Sequence, residues 1–352
     1  MAHCVSRFPN RTETFVVSDI RATLEWCPQA DVIAIFRKEG KVPSWVSKVH
    51  YFRVPSLHLR SHWWALRRDP GLYFRLLREL VVGYRGNLIE WFKIMAAWPA
   101  MIAAARLADE QQYDVIHAHW GNAPATMAYV ITSFVGKPST LTTHAFDIYK
   151  KNTFLGPKLE KAALCLTCTA YNRRHLLDTY PQLPADRIQV AYHGVDLQRF
   201  SGIDSGKESD TFTLVTVGRM TAQKGFEDLM DALGLLRQRG IAFRLLFLAL
   251  PGPSEDAIRE RIASNQLADH IEYVSPLPQD EMTALYQRAD LAVLPCVIGP
   301  DQDRDGLPNF LLEAAACALP LVSTSTSAVP ELVIPGETGL LVESGHIEGL
   351  AE

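Results

Sequence analysis

The sequence predicts an α/β protein built on parallel sheets, and three observations carry the prediction. Strand-like and helix-like segments alternate from end to end, a polar stretch (SGIDSGKESD, 201–210) interrupts them, and the same alternation restarts behind it. At 352 residues the chain is long for one core and suits two domains. We place an N-terminal domain at 1–200, a linker at 201–210 and a C-terminal domain at 211–352.

In the first half, 32–36, 115–119, 139–143, 164–169 and 188–192 read as strands, with helical patterns between them, for instance at 99–111 and 122–135. In the second half the strands fall at 211–217, 243–249, 271–274, 291–295 and 321–324. Helices are predicted at 226–237, 254–263, 279–288 and 308–318. Open parallel sheets bind ligands at the carboxyl ends of their strands. Two such sheets facing each other would frame one cleft.

Composition narrows the function. Hydrophobic residues make up 48% and charged residues 21%, as in ordinary globular proteins. The net charge of −4 argues against nucleic acid as a partner, since phosphate binding wants a basic excess. Six scattered cysteines, most inside apolar runs, suit buried thiols in a reducing compartment. Residues 1–10 carry no apolar core of a secretory signal. The longest uncharged apolar run, 94–105, is too short to span a bilayer and contains Pro99. A cytoplasmic protein is expected, with any membrane contact peripheral and on the cytoplasmic face of the inner membrane.

Two motifs carry chemistry. In TFTLVTVGRMTAQKGFEDLMDALGLL (211–236), a strand ends at Gly218, Arg219 follows at its carboxyl edge, and Lys224-Gly225 opens a helix. Two cations, glycines and a helix start make an anion site suited to a diphosphate; alternatively both cations are solvated loop residues. In DGLPNFLLEAAACALPLVST (305–324), Pro308 suits a first helical residue. Asp305 would stay in the loop while Glu313 projects from the helix. Amides around Gly306, Leu307 and Asn309 would cap a phosphate, and the carboxylates would accept from sugar hydroxyls. The plain alternative makes Asp305 a helix-start charge and Glu313 a structural acid.

These residues resemble the nucleotide-binding domain of the retaining GT-B glycosyltransferases of the group 1, family 4 type. The shared features are Gly218-Arg219, Lys224-Gly225, the acid pair Asp305 to Glu313, and Pro330-Glu331-Leu332-Val333 through Gly339-Leu340-Leu341-Val342. Gly194-Val195-Asp196 with Phe200 matches the family's G-V-D-x-x-x-F signature, and the opening residues from Ser6 to Phe15 are similar to the colanic-acid-type exopolysaccharide subgroup. The resemblance implies two Rossmann-like domains across a cleft and transfer of a hexose from a UDP- or GDP-sugar to a lipid-linked or polysaccharide acceptor. Retention of configuration and no required metal or cofactor are implied with it. Arg219 and Lys224 would hold the diphosphate with Gly218, Gly306, Leu307, Pro308 and Asn309 around it, and Glu313 would take the ribose. Asp305, His144 and Asp147 would lie near the transferred sugar. Glu13, His119 and Asn122 are assigned to the acceptor side. A sugar-nucleotide epimerase, a phosphorylase or a non-catalytic binding component on the same scaffold are the alternatives.

The sequence departs from the family pattern in four places. Asp305 replaces the usual Glu, Leu250-Pro251-Gly252-Pro253 stands for G-x-G-P, and Ser327-Ala328 occupies a frequent glycine pair. The sequence also ends at Glu352, where relatives continue with helices crossing back to the N-terminal domain, so those closing helices are expected to be missing.

Weaker signals remain. Asp301, Asp303 and Asp305 form overlapping D-x-D pairs that could be read as a Mg²⁺ site. Cys165 and Cys168 form a lone C-x-x-C inside an apolar strand, better suited to burial than to zinc or redox chemistry. His117 and His119 alternate on one strand without a carboxylate nearby, and are read as strand-end residues on the acceptor side with Trp120, Asn122 and Thr126. Between 53 and 85, Arg60, Arg67, Arg68, Arg75 and Arg78 interleave with Trp63, Trp64, Tyr73 and Phe74. That segment would suit an anionic membrane surface, or else turn its aromatics into the domain core.

Overall fold

A computed structural model describes residues 1–9, 14–37, 42–46, 48–52, 57–150, 152–200, 211–300 and 302–352. Glu13, Asp301 and the 201–210 stretch assigned as linker lie outside the described residues. The chain divides into two compact units, Met1–Cys168 with Asn172–Tyr192, and Thr169–Tyr171 with His193–Glu352.

The first unit carries strands β1 (Ala2–Phe8), β2 (Asp31–Arg37), β3 (Val49–Tyr51), β4 (Ile116–His119), β5 (Ser139–Thr143), β6 (Leu164–Thr167) and β7 (Ile188–Val190). They form one parallel sheet in the order β3-β2-β1-β4-β5-β6-β7. Strand order reverses between β1 and β4, so the carboxyl ends of these two strands mark the switch point. Side chains alternate across β1 and β2: Cys4, Ile33 and Ile35 join one core, Val5, Val32 and Ala34 another with Val16 and Ile20. Each fully buried aliphatic side chain of this kind contributes about 1.5–3 kcal/mol.

The helix predicted at 99–111 is longer, running Leu88–Gln111 with Pro99 inside it. Asn87 caps its start by accepting from the Glu90 amide at 3.2 Å. Burial of Ile94, Trp98, Met101 and Ile102 offsets the one backbone bond that Pro99 removes. By length and composition this helix could cross a membrane, yet ten of its residues are buried in the unit's own core.

The second unit carries β8 (Thr213–Arg219), β9 (Arg244–Leu250), β10 (Ile271–Tyr273), β11 (Leu291–Leu294), β12 (Leu321–Thr324) and β13 (Gly339–Val342). Their order is β10-β9-β8-β11-β12-β13, again parallel, with the switch point between β8 and β11. A short helix, Ile347–Ala351, follows β13. The stretch ahead of 201–210 already belongs to this unit, because Phe200 is buried in its core against Tyr286.

Candidate active site

In the second unit the site is built at the β8–β11 switch point. The β8 strand is buried through Thr216 and becomes exposed at Arg219, which places a guanidinium at the carboxyl edge. The chain then makes one 3₁₀ turn, Ala222–Lys224, and enters the helix Phe226–Gln238. Gly225 makes this path possible. Its φ is +65°, and a Cβ there would sit 1.8 Å from the Pro295 carbonyl oxygen. Any side chain would push the turn off the loop that follows β11.

The turn folds Lys224 back over Gly218, where a Cβ would lie 3.4 Å from the lysine's own methylenes. Its ammonium meets the Asp305 carboxylate at 2.8 Å, both side chains largely buried. Burial opposes the Lys224 charge, but Asp305, aided by Asp303, outweighs it and holds the amine above its usual range. The sequence reading gave these two residues separate roles; the fold pairs them.

The helix that follows runs Asn309–Ala316, one residue later than predicted. Pro308 is its cap rather than its first helical residue: ψ is 128° and its carbonyl accepts from the Leu311 amide at 3.0 Å. Gly306 is buried, with its carbonyl bound by the Ala328 amide. Leu307 and Asn309 are half-buried beside it. Ser327 adopts φ +53°, a conformation an L-residue takes at a cost.

Glu313 points back to Tyr286, whose hydroxyl donates to Oε2 at 2.6 Å. Burial raises the Glu313 carboxyl above its usual range, against hydrogen bonds from Tyr286 and Gln279 and the charge of Arg199. Tyr286 escaped the sequence reading, because a tyrosine in an amphipathic helix carries no signal of its partner. The G-V-D-x-x-x-F signature explains its place. Asp196 Oδ1 accepts from the Gln198 and Arg199 amides, its carbonyl from Phe200, and the turn drives the Phe200 ring to 6.1 Å from Tyr286.

In the first unit His144 follows β5 and caps the helix Ala145–Tyr149. Its ring is buried among Trp120 and Phe15, with centroids 4.3 and 4.8 Å away. Asp147 is 2% exposed and accepts from the amides of His144, at 2.7 Å, and Gly121. Beneath it Lys158, 3% exposed, donates to the Gly121 carbonyl at 2.5 Å and the Tyr84 hydroxyl at 3.2 Å. Burial moves the pair in opposite senses, raising Asp147 to about 7 and lowering Lys158 to about 7, each partly held back by the other's charge. Trp120 is held at φ +81°, unusual for so bulky a residue.

A cavity of about 190 Å³ opens here, lined by Asn122 and Asp147 together with Tyr84, Asn87, Glu90 and Asn152. Asn122 thus lines a cavity of the first unit. His119 does not: it is 1% exposed and its Nε2 lies 3.1 Å from Nδ1 of His3. Strand alternation turns it into the packed sheet, so neither His117 nor His119, placed on the acceptor side by the sequence, lines this cavity. Glu13 lies outside the described residues.

In the described part of 53–85 the aromatics divide between core and surface. Within the helices Leu59–Arg68 and Pro70–Gly83, Trp64 packs on Phe134 and Tyr73 on Trp98, while Trp63 and Phe74 are exposed. Cys165 and Cys168 are both buried, as a strand interior suggests, and are not joined by a disulfide.

Two open parallel sheets, the second with a cation pair, an acid and a helix start at its switch point, make a GT-B fold. Comparison with known proteins agrees. The family model for glycosyl transferases group 1 matches residues 211–352, and that for glycosyltransferase family 4 matches 44–199. The chain is 29% identical to the provisionally named colanic acid biosynthesis glycosyltransferase WcaL of Escherichia coli (strain K12), over 98% of this chain and 87% of the relative. It is 24% identical to the amylovoran biosynthesis glycosyltransferase AmsK of Erwinia amylovora, with the same shares covered. Among solved structures it resembles Anabaena HepE in complex with UDP (TM-score 0.70, 15% identity, 99% of this chain and 86% of that one). A sucrose-phosphate synthase from Thermosynechococcus elongatus has a TM-score of 0.71 at 16% identity, covering 99% and 87%. The protein belongs to the glycosyltransferases of the group 1 and family 4 type, and is a glycosyltransferase.

Proposed function

We propose that this enzyme moves a hexosyl group from a nucleoside diphosphate sugar to a lipid-linked or polysaccharide acceptor, with retention and without a metal in the transfer step. The observation that carries the donor assignment is the buried Lys224 ammonium at the β8–β11 switch point, fixed by Asp305 beside the start of the helix Asn309–Ala316. As the bond from the anomeric carbon to the diphosphate oxygen breaks, its electron pair leaves on the diphosphate. Lys224, Arg219 and the first amides of that helix are assigned to this growing charge. With one Asp305 oxygen taken by Lys224, the D-x-D loop is a poor Mg²⁺ site, which favours the metal-free reading. The resemblance assigns Glu313 to the ribose, with Tyr286 orienting it, and Asp305, His144 and Asp147 to the transferred sugar. HepE structures with UDP and with UDP-glucose support a donor of this type.

Calorimetric titration with UDP and with GDP tests the donor site. Saturable binding of one nucleotide, unchanged by Mg²⁺, is expected. Glu313→Ala is expected to weaken it at least several-fold, since a charge-assisted hydrogen bond is worth about 1.5–3 kcal/mol. Binding of neither nucleotide sinks the donor assignment.

The acceptor reading rests on what surrounds the first unit's cavity. Asn87 and Glu90 line it at the start of the helix Leu88–Gln111, and on the same turns Leu88, Ile89 and Phe92 are exposed. Trp63 and Phe74 are exposed on the two preceding arginine-rich helices. A lipid-linked sugar suits this combination, its polar head in the cavity and its chain near the apolar residues. The full chain is expected to float with vesicles containing anionic lipid at low salt, and Trp63→Glu with Phe92→Glu to leave it behind. Wild-type protein that stays in the soluble fraction at low salt rules out the membrane reading.

A further inference from the structure

Three histidines in the first unit are left without a task by this chemistry. The β1–β4 register sets His3 beside His117, and period-two alternation adds His119 on the same face. Cys4 and Ala118 point to the opposite face. All three rings are at least nine-tenths buried, and each offers one nitrogen within 4.8 Å of the others'.

We propose that His3, His117 and His119 form a binding site for one divalent late first-row metal ion, best suited to Zn²⁺, that ties β1 to β4. Geometry is the first support. Two nitrogens on one tetrahedral zinc, with bonds of 2.0–2.1 Å, stand about 3.3 Å apart. His3 Nδ1 and His119 Nε2 are 3.1 Å apart, near the edge length such an ion needs. The ring centroids of the three pairs lie 5.5, 5.3 and 4.5 Å apart.

The second support is how the facing rings meet. Two neutral imidazoles that face each other through His3 Nδ1 and His119 Nε2 share a single proton, whereas an ion takes a lone pair from each of these two nitrogens. The outer nitrogens, His3 Nε2 and His119 Nδ1, have no hydrogen-bond partner among the described residues and are not the ligand atoms.

The donor set selects the ion. Three imidazoles with no carboxylate favour zinc, copper, nickel or iron over Ca²⁺ or Mg²⁺, which want oxygen. His117 contacts Thr140 Oγ1 at 2.7 Å through Nδ1 and Thr142 Oγ1 at 3.2 Å through Nε2. One nitrogen would serve the ion while the other keeps its threonine as the outer-shell partner that fixes the ring.

The test uses the full chain, stripped with a chelator and then titrated with Co²⁺ alone and, separately, Zn²⁺ alone. About one equivalent of either ion is expected per chain, with the visible absorption of four-coordinate cobalt and a rise in melting temperature. His3→Gln and His119→Gln are expected to lose both the spectrum and the bound metal, while Asp303→Asn keeps them. Wild-type protein with no cobalt absorption and no Zn²⁺-dependent melting shift overturns the site, whether or not the histidine variants fold. Full metal retention in folded His3→Gln overturns it equally. Neither readout depends on nucleotide binding or transfer.

Discussion

Replacing Lys224 with methionine is expected to lower the transfer rate by about 10²–10³-fold, the loss typical when one preorganised donor to a developing charge is removed. The same change acts on stability, because it strands the largely buried Asp305 carboxylate without its 2.8 Å partner. Breaking a buried pair on one side costs about 3–5 kcal/mol, whereas removing both partners costs less. The two effects separate in a cycle. Lys224→Met/Asp305→Asn should recover most of the lost melting temperature while nucleoside diphosphate affinity stays weak. If Lys224→Met binds nucleotide and turns over at wild-type levels, the lysine is a structural counter-ion to Asp305 and has no part in the donor site.

Lys158→Met is expected to be the most destabilising single change in the first unit. The ammonium is held by the Gly121 carbonyl, the Tyr84 hydroxyl and Asn152 Oδ1, all around the cavity wall. Its loss removes one donor from each of these groups, although the Gly121 carbonyl keeps Asn152 Nδ2 and the Tyr84 hydroxyl keeps Thr126, and it removes the positive charge that partly offsets the burial of Asp147. About 3–5 kcal/mol follows, a melting-temperature drop of roughly 10 °C for a domain of this size. Asp147→Asn added to Lys158→Met should return more than half of it. Because Asp147 fixes the Gly121 and His144 amides, acceptor KM should rise in the single variant before kcat falls. A Lys158→Met protein that melts like the parent shows that the pair contributes nothing to the wall.

Where sequence reasoning went short, single positions show why. β1 was not among the predicted strands because His3, Ser6 and Arg7 dilute its apolar pattern, yet it is a central strand of the first sheet. The helix start drawn at Pro99 took a proline in a buried helix interior for a first residue. His119 was placed on the acceptor side, yet it is buried in the sheet, because residue type and spacing do not say how deeply a strand-end side chain is packed. Tyr286 and Lys158 were invisible for a related reason. A donor some thirty residues from its acceptor leaves no local trace.

By itself the sequence determined the alternation of strands and helices, the restart after 210, and the motif positions Gly218-Arg219, Lys224-Gly225 and Asp305 through Glu313. Those are local properties, set by hydrophobic period, glycine and proline geometry, and residue chemistry at short spacing. Tertiary structure alone decided that Lys224 is bound to Asp305, that Glu313 is held by Tyr286, that Lys158 underlies Asp147, and that His3 joins His117 and His119. Each of these joins residues on different strands, helices or loops. Strand order and register bring such groups together, and a parallel sheet fixes both through crossovers that no short stretch of sequence encodes.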